Sequence, residues 1–352
     1  MKHINFTYFR LVMKKFLIIF LALFSISGTT AKTDSDISSK TEVINELYII
    51  AGKYLYGWEE KMDYSKALEY FYKILEIGGD DEIGALFRIG YIYEYGGYGV
   101  IQDLNKAKDY YQKAANLGDA KAMNNLAGMY LDGRGVEQDF PIALDLYIKA
   151  AAKGETFALY NIGMMTEYGL GISQDYSEAF RWYKRAAESN IAESMIRVAL
   201  FYYNGVGVEQ DYTASFEWMK KASGKGNLKA RQLLGLLYER GEGVAQNYEA
   251  AMMCYKSAAE KNYSPAMCSL GLLYYKGLGV QQDFYTAFDY FYKAATNECI
   301  EYGEAMKWLS ECYRFGHGVT KDLTKADYWL KKAQEMGNDS ANKIKQLLLR
   351  KE

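Results

Sequence analysis

The feature that most constrains this chain is a period. The stretch GRGVEQDF (133–140) returns as GLGISQDY, GVGVEQDY, GEGVAQNY and GLGVQQDF, each 36 residues beyond the last. Val100, Val136, Ile172, Val208, Val244, Val280 and Val319 hold the same place in successive units, with a step of 36 five times and then 39. A worn copy precedes them, YLYGWEEKMDYSKALEYF (54–71), which keeps the Tyr, one Gly, the Asp and the following Ala. Self-similarity at a fixed spacing is the mark of stacked supersecondary units rather than of unrelated domains. Only Pro141 and Pro265 interrupt the 352 residues, which suits helices and argues against a loop-rich fold.

Each position of the unit has a mechanical reading. Ala122, Leu126 and Tyr130 fall at i, i+4 and i+8, on one face of a helix. The small residue after the Leu (Gly90, Ala127, Gly163, Ala199, Gly235, Gly271) predicts a close approach, most simply by a neighbouring helix backbone. Gly133 predicts a left-handed end to this first helix. Gly135 then lets the chain reverse, and Val136 tucks back into the core. Asp139, like Asp175 and Asp211, stands one residue before the next apolar period, where Asp is a preferred N-cap. Asp175 with Glu178 has capping-box spacing. The second helix places Ala143, Tyr147 and Ala150 on one side. Each unit is thus a helical hairpin, and stacked hairpins make an all-α solenoid.

The residues of this pattern resemble the Sel1-like repeat, a relative of the tetratricopeptide repeat, over 46–338. The resemblance implies a right-handed superhelix of about eight helix-turn-helix repeats. The array spans 42–339, with units near 46–81, 85–121, 122–157, 158–193, 194–229, 230–265, 266–304 and 305–339. A linker (32–41) precedes it and a capping helix (340–352) follows. Departures from the pattern are local: an extra Gly97, Thr166 in place of Tyr, Ser215 and Ser223 in place of Ala, and a longer turn at ECIEYGE (298–304).

Little catalytic chemistry survives inspection. The two histidines are His3, in the leader, and His317, in the variable middle of its Gly-x-Gly loop. They cannot build a two-histidine metal site or a Ser-His-Asp triad in the array. A solvated loop residue is the expectation for His317. A dinucleotide fingerprint needs a strand before its glycines and a third Gly opening the next helix; here a helix precedes, and a cap carboxylate sits where the anion would dock. Net charge is −2 with both signs interspersed, so no basic field invites nucleic acid. No cofactor and no metal are expected. Some cysteine-rich relatives are associated with β-lactam hydrolysis, yet the one Ser-x-x-Lys, Ser340–Lys343, lacks its Ser-Asp-Asn and Lys-Thr-Gly companions. Cys254, Cys268, Cys299 and Cys312 permit one or two disulfides of open pairing, or buried free thiols.

What remains is surface. In superhelices of the tetratricopeptide type, one face of the first helix lines a concave groove. The corresponding residues here are Phe87, Tyr91 and Glu94, then Asn124 and Leu131, then Tyr160, Met164 and Glu167, then Ile196, Leu200 and Tyr203, with Arg88, Asn125, Asn161 and Arg197 one step round. An aromatic and aliphatic strip suggests a protein or peptide groove; packing between neighbouring first helices is the competing reading. The family resemblance implies a non-catalytic scaffold that binds a protein or peptide, in the envelope, in host contact or as an immunity-type protein. The alternatives are cell-wall glycan or peptide binding, or a hydrolase of the β-lactamase type attributed to cysteine-rich relatives. A monomer is expected.

The N-terminus reads as an address. From Met13 to Ala31, two lysines, an apolar run from Phe16 to Phe24 and small residues have the anatomy of a secretory signal. Residues 1–31 are therefore expected to be removed, with Met13 as the true start and a periplasmic or secreted product; a retained anchor is the alternative.

Overall fold

The computed structural model describes residues 34–79, 82–297 and 303–349, with side chains described for 40–79, 82–297 and 303–337. The expected signal segment lies outside the described residues. Sixteen helices are present among those described. The first eight are α1 (Asp34–Tyr56), α2 (Tyr64–Ile77), α3 (Glu82–Tyr95), α4 (Leu104–Asn116), α5 (Ala120–Asp132), α6 (Phe140–Ala152), α7 (Thr156–Tyr168) and α8 (Tyr176–Glu188). The rest are α9 (Ala192–Asn204), α10 (Tyr212–Gly224), α11 (Leu228–Arg240), α12 (Tyr248–Ala259), α13 (Ser264–Lys276), α14 (Phe284–Ala295), α15 (Gly303–Phe315) and α16 (Leu323–Leu349). Odd helices open a repeat and even helices close it. The fold is an all-α solenoid of eight hairpins. It divides at Gln174 and Asp175, inside the fourth repeat, into two compact units.

Two expectations at the ends change. Residues 34–41, read as a linker, already belong to α1, and residues 340–349, read as a separate cap, continue α16 without a break.

Burial follows the period. In α8 the buried side chains are Ala179, Phe180, Tyr183, Ala186 and Ala187, a stripe at helical spacing. Each large aromatic so placed contributes roughly 1.5–3 kcal/mol of burial. The approach at the small residue differs from expectation, because a ring and not a backbone fills it. A Cβ on Gly90 would lie 2.7 Å from the Tyr111 ring, and one on Gly235 would lie 2.5 Å from that of Tyr255.

The loop acts as predicted at both ends. Gly133 closes α5 in the left-handed conformation (φ 68, ψ 34), its N–H bonded to Met129 O. Asp139 Oδ1 accepts from the Ile142 N–H at 2.9 Å, and Asp175 and Asp211 cap α8 and α10 through Glu178 and Ala214 at the same distance. Gly135 does more than reverse the chain: a Cβ there would meet Leu104 Cβ at 2.6 Å, so this glycine seats the loop of one repeat on the second helix of the repeat before. Val136 is only half-buried, and its counterpart Ile172 is 43% exposed, so the loop aliphatic is a partial plug.

Candidate interaction face

The first-helix face of the N-terminal unit is organised by a buried carboxylate. Glu94, in the last turn of α3, is expected on the groove face but is only 3% exposed. Tyr111 of α4 donates its hydroxyl to Glu94 Oε2 at 2.7 Å, and Arg134 Nη1 reaches Glu94 Oε1 at 2.8 Å. Burial first, and the Glu94 charge second, push the Tyr111 phenol far above its ordinary range. Asn125 Nδ2 donates to Tyr111 Oη (3.1 Å), Asn124 Nδ2 to Asn125 Oδ1 (3.3 Å) and Asn161 Nδ2 to Asn124 Oδ1 (3.0 Å). One polar chain thus runs from the loop of the third repeat to the first helix of the fourth. A low-dielectric setting strengthens such bonds and makes a missing partner costly.

Several predicted contact residues are therefore engaged inside the array. Asn125 and Asn161 belong to this chain, and Phe87 packs against Tyr111 with centroids 5.8 Å apart. Leu131, Tyr160 and Met164 are half-buried. In the C-terminal unit Tyr203 Oη donates to Glu242 Oε2 (2.9 Å) and accepts from Arg240 Nη1 (2.9 Å), and the Arg197 guanidinium lies 5.8 Å from the Tyr183 ring centre. Ile196 is 4% exposed and belongs to the core; at its place on α9 the residue turns inward rather than to a partner. His317 is likewise no solvated loop residue. Its Nδ1 lies 2.7 Å from Tyr275 Oη, and its ring stacks on Phe284 at 4.4 Å and 9°.

One exposed part of the face lies where the worn first copy meets the second repeat. Trp58 is 72% and Tyr95 59% exposed. Trp58 stacks on Tyr56 (4.9 Å), Arg88 hydrogen-bonds the Tyr56 hydroxyl and lies over its ring, and Tyr91 packs on Tyr95 at 4.6 Å. Arg88 and Tyr91 were expected here. Trp58, Tyr56 and Tyr95 were not, because the first two sit in the degenerate copy and Tyr95 lies one position beyond the helical stripe that was read. A recurring Gln was also overlooked. Gln138 Nε2 donates to Leu131 O at 2.7 Å, and Gln210 and Gln246 do the same to Tyr203 O and Glu239 O at 2.8 Å, tying the loop back to the end of the first helix. Its constancy in the consensus was the available signal.

Cys254, Cys268 and Cys312 are free thiols, so no disulfide joins these three; Cys299 lies outside the described residues. Burial raises the Cys268 and Cys312 thiols to about 12. Among the described residues no His, Cys, Asp and Glu group could hold a metal ion, and no helix is long and apolar enough to cross a membrane.

Hairpins tied by caps, glycine seats and a polar chain, with an aromatic face left open, define a helical repeat protein of the tetratricopeptide-like class. The Sel1 repeat family matches at 48–78, 83–119, 120–155, 156–191, 192–227, 228–263, 264–299 and 303–338, and this chain belongs to it. It is similar to a protective antigen of uropathogenic Escherichia coli strains, which displays the same repeat fold. Identity is 27% and the TM-score 0.67, over 87% of this chain and 65% of that one. The chain therefore spans just under two thirds of that relative's length. A Sel1 repeat protein from Oxalobacter formigenes matches at 29% identity and a TM-score of 0.64, over 71% of this chain and 99% of that one. Comparison with curated proteins gives no match.

Proposed function

We propose that this protein is a non-catalytic scaffold that holds a protein or peptide partner on the first-helix face of its N-terminal unit. The observation that carries this reading is the exposed aromatic group Trp58, Tyr56 and Tyr95, with the half-buried Tyr91 and Arg88 packed on it. Tyr, Trp and Arg are the residues that dominate binding energy at protein interfaces. Phe87, Leu131, Tyr160 and Met164, each half-buried, are the further first-helix residues of this reading. Membership of a repeat family built for extended contact surfaces supports the same reading. The leader-like N-terminus supports a role in the periplasm or outside the cell, in envelope assembly, host contact or immunity-type capture.

The test is affinity capture from envelope fractions with the wild-type protein and a Trp58→Ala/Tyr95→Ala variant. Both substitutions lie at exposed positions and leave the melting temperature unchanged. A partner retained by the wild type and lost by the variant supports the assignment. A partner retained equally by both refutes this face.

A further inference from the structure

Between α2 and the segment 99–103, which leads into α4, lies a cleft of about 680 Å³. That size is within the range of small-molecule sites. The wall opposite α2 is built unlike the other repeat loops. Gly97 is an extra residue, and Gly97 and Val100 exchange both backbone hydrogen bonds, at 2.7 and 3.0 Å. Tyr98 is held at φ 47, in the left-handed region that few residues other than glycine occupy. Ser65 Oγ donates to Gly99 O at 3.0 Å and fastens this turn to α2. The turn leaves Ile101 89% exposed at the rim.

Tyr72 and Tyr93 line the cleft, and Tyr110, outside the lining, bonds to Tyr72. Tyr72 Oη and Tyr93 Oη lie 3.1 Å apart, and Tyr110 Oη donates to Tyr72 Oη at 3.3 Å. The rings of Tyr93 and Tyr110 stack at 6.1 Å and 13°. Each hydroxyl has one donor and two acceptor sites, so the trio keeps capacity for a ligand beyond its internal bonds. Burial, and after it the bonds to Tyr110 and Tyr93, raise the Tyr72 phenol far above its ordinary range, so Tyr72 keeps its proton.

Lys113 lies over the Tyr110 ring at 5.1 Å, and the charges that line the cleft itself are paired. Glu69 pairs with Lys73 at 2.7 Å, and Lys106 pairs with Asp103 at 3.5 Å while lying over the Tyr93 ring. The one cation among the lining residues, Lys106, is thus held by a carboxylate. The cleft offers aromatic and aliphatic surface beside hydroxyls and a carboxylate acceptor, the complement of a ring that carries C–H faces and hydroxyl edges. We infer that this cleft binds a neutral saccharide, whose hydroxyls engage the Tyr72 and Tyr93 hydroxyls and Glu69 beneath the shelf of Ile101.

The purified protein is examined by saturation-transfer NMR and calorimetric titration with chitotriose, maltotriose and the anionic 3′-sialyllactose. Saturation transfer to at least one neutral probe is expected. Tyr72→Phe weakens that binding about fivefold, the loss of one hydrogen bond. Tyr72→Phe with Tyr93→Phe abolishes it, with circular dichroism and melting temperature unchanged. Transfer to neither neutral trisaccharide overturns the proposal. So does binding of sialyllactose alone, or neutral binding that survives in the double variant.

Discussion

The Tyr111 hydroxyl meets the buried Glu94 carboxylate at 2.7 Å, across the hairpin of the second repeat, while Arg134 of the third repeat holds the other oxygen. This carboxylate joins two repeats through one side chain. Arg134→Met leaves Glu94 buried without its cation. Loss of a partner from a fully buried pair costs about 3–5 kcal/mol, and the Arg134 side chain is 41% exposed, so a cost of about 2 kcal/mol is expected. Tyr111→Phe removes a bond to a charged acceptor and costs roughly 1.5–3 kcal/mol. The two effects should couple in a double-mutant cycle of urea unfolding. Strict additivity would mean that the chain is not one network.

This junction shows how far the sequence could be read. The period, the hairpins, the Asp caps and the left-handed glycine are local, and each repeats often enough to be legible without tertiary knowledge. Glu94 and Arg134 lie 40 residues apart at positions where the repeats vary, so no periodic signal marks them as partners. Asn125, Asn161 and Arg197 faced the right way but were already engaged within the array. Helical-wheel reasoning gives direction and not occupancy, which is also why Ile196 was misplaced. Trp58 carries no periodic signal, because the degenerate first copy has lost the register of the other repeats.

Two substitutions toward alanine should act in opposite directions. Gly235→Ala drives a Cβ to 2.5 Å from the Tyr255 ring, and overpacking of this kind costs about 1–3 kcal/mol. Ser215 is buried with its hydroxyl unpaired, at a place where other repeats carry Ala143, Ala179, Ala251 and Ala287. Ser215→Ala should stabilise by about 1 kcal/mol, because an unsatisfied hydroxyl is removed. Denaturant midpoints of the two variants check both signs.

The caps make stability acid-sensitive. Asp103 and Asp322 have carboxyls held below the ordinary value of 3.8, chiefly by backbone N–H donation from Lys106 and Lys325. For Asp283 the Thr286 hydroxyl is the leading cause. A carboxylate whose folded value is depressed stabilises the fold above the unfolded value and loses that contribution as pH falls through the folded one. Melting temperature should therefore drop on acidification from 3.8 downward. Asp103→Asn keeps a capping oxygen but removes one titration, so its melting temperature should fall less steeply over that window. A parallel decline in the variant would assign the acid transition to other groups.

The cysteines should be silent in the native protein. Burial is the main cause that raises Cys268 and Cys312 to about 12 from 9.0, with Glu304 and Glu311 adding to it. The thiolate is the reactive form, so neither thiol offers a usable nucleophile near neutral pH. In a Cys254→Ala/Cys299→Ser background, a disulfide reagent such as DTNB at pH 8 should release no chromophore from folded protein. Two equivalents should appear after unfolding in guanidinium. The sign of the linkage gives a second expectation. A folded state that disfavours the thiolate loses stability as pH rises from 9 toward 12, and Cys312→Ala should flatten that alkaline decline. Rapid native labelling would show that the last two repeats open far more readily than their packing implies.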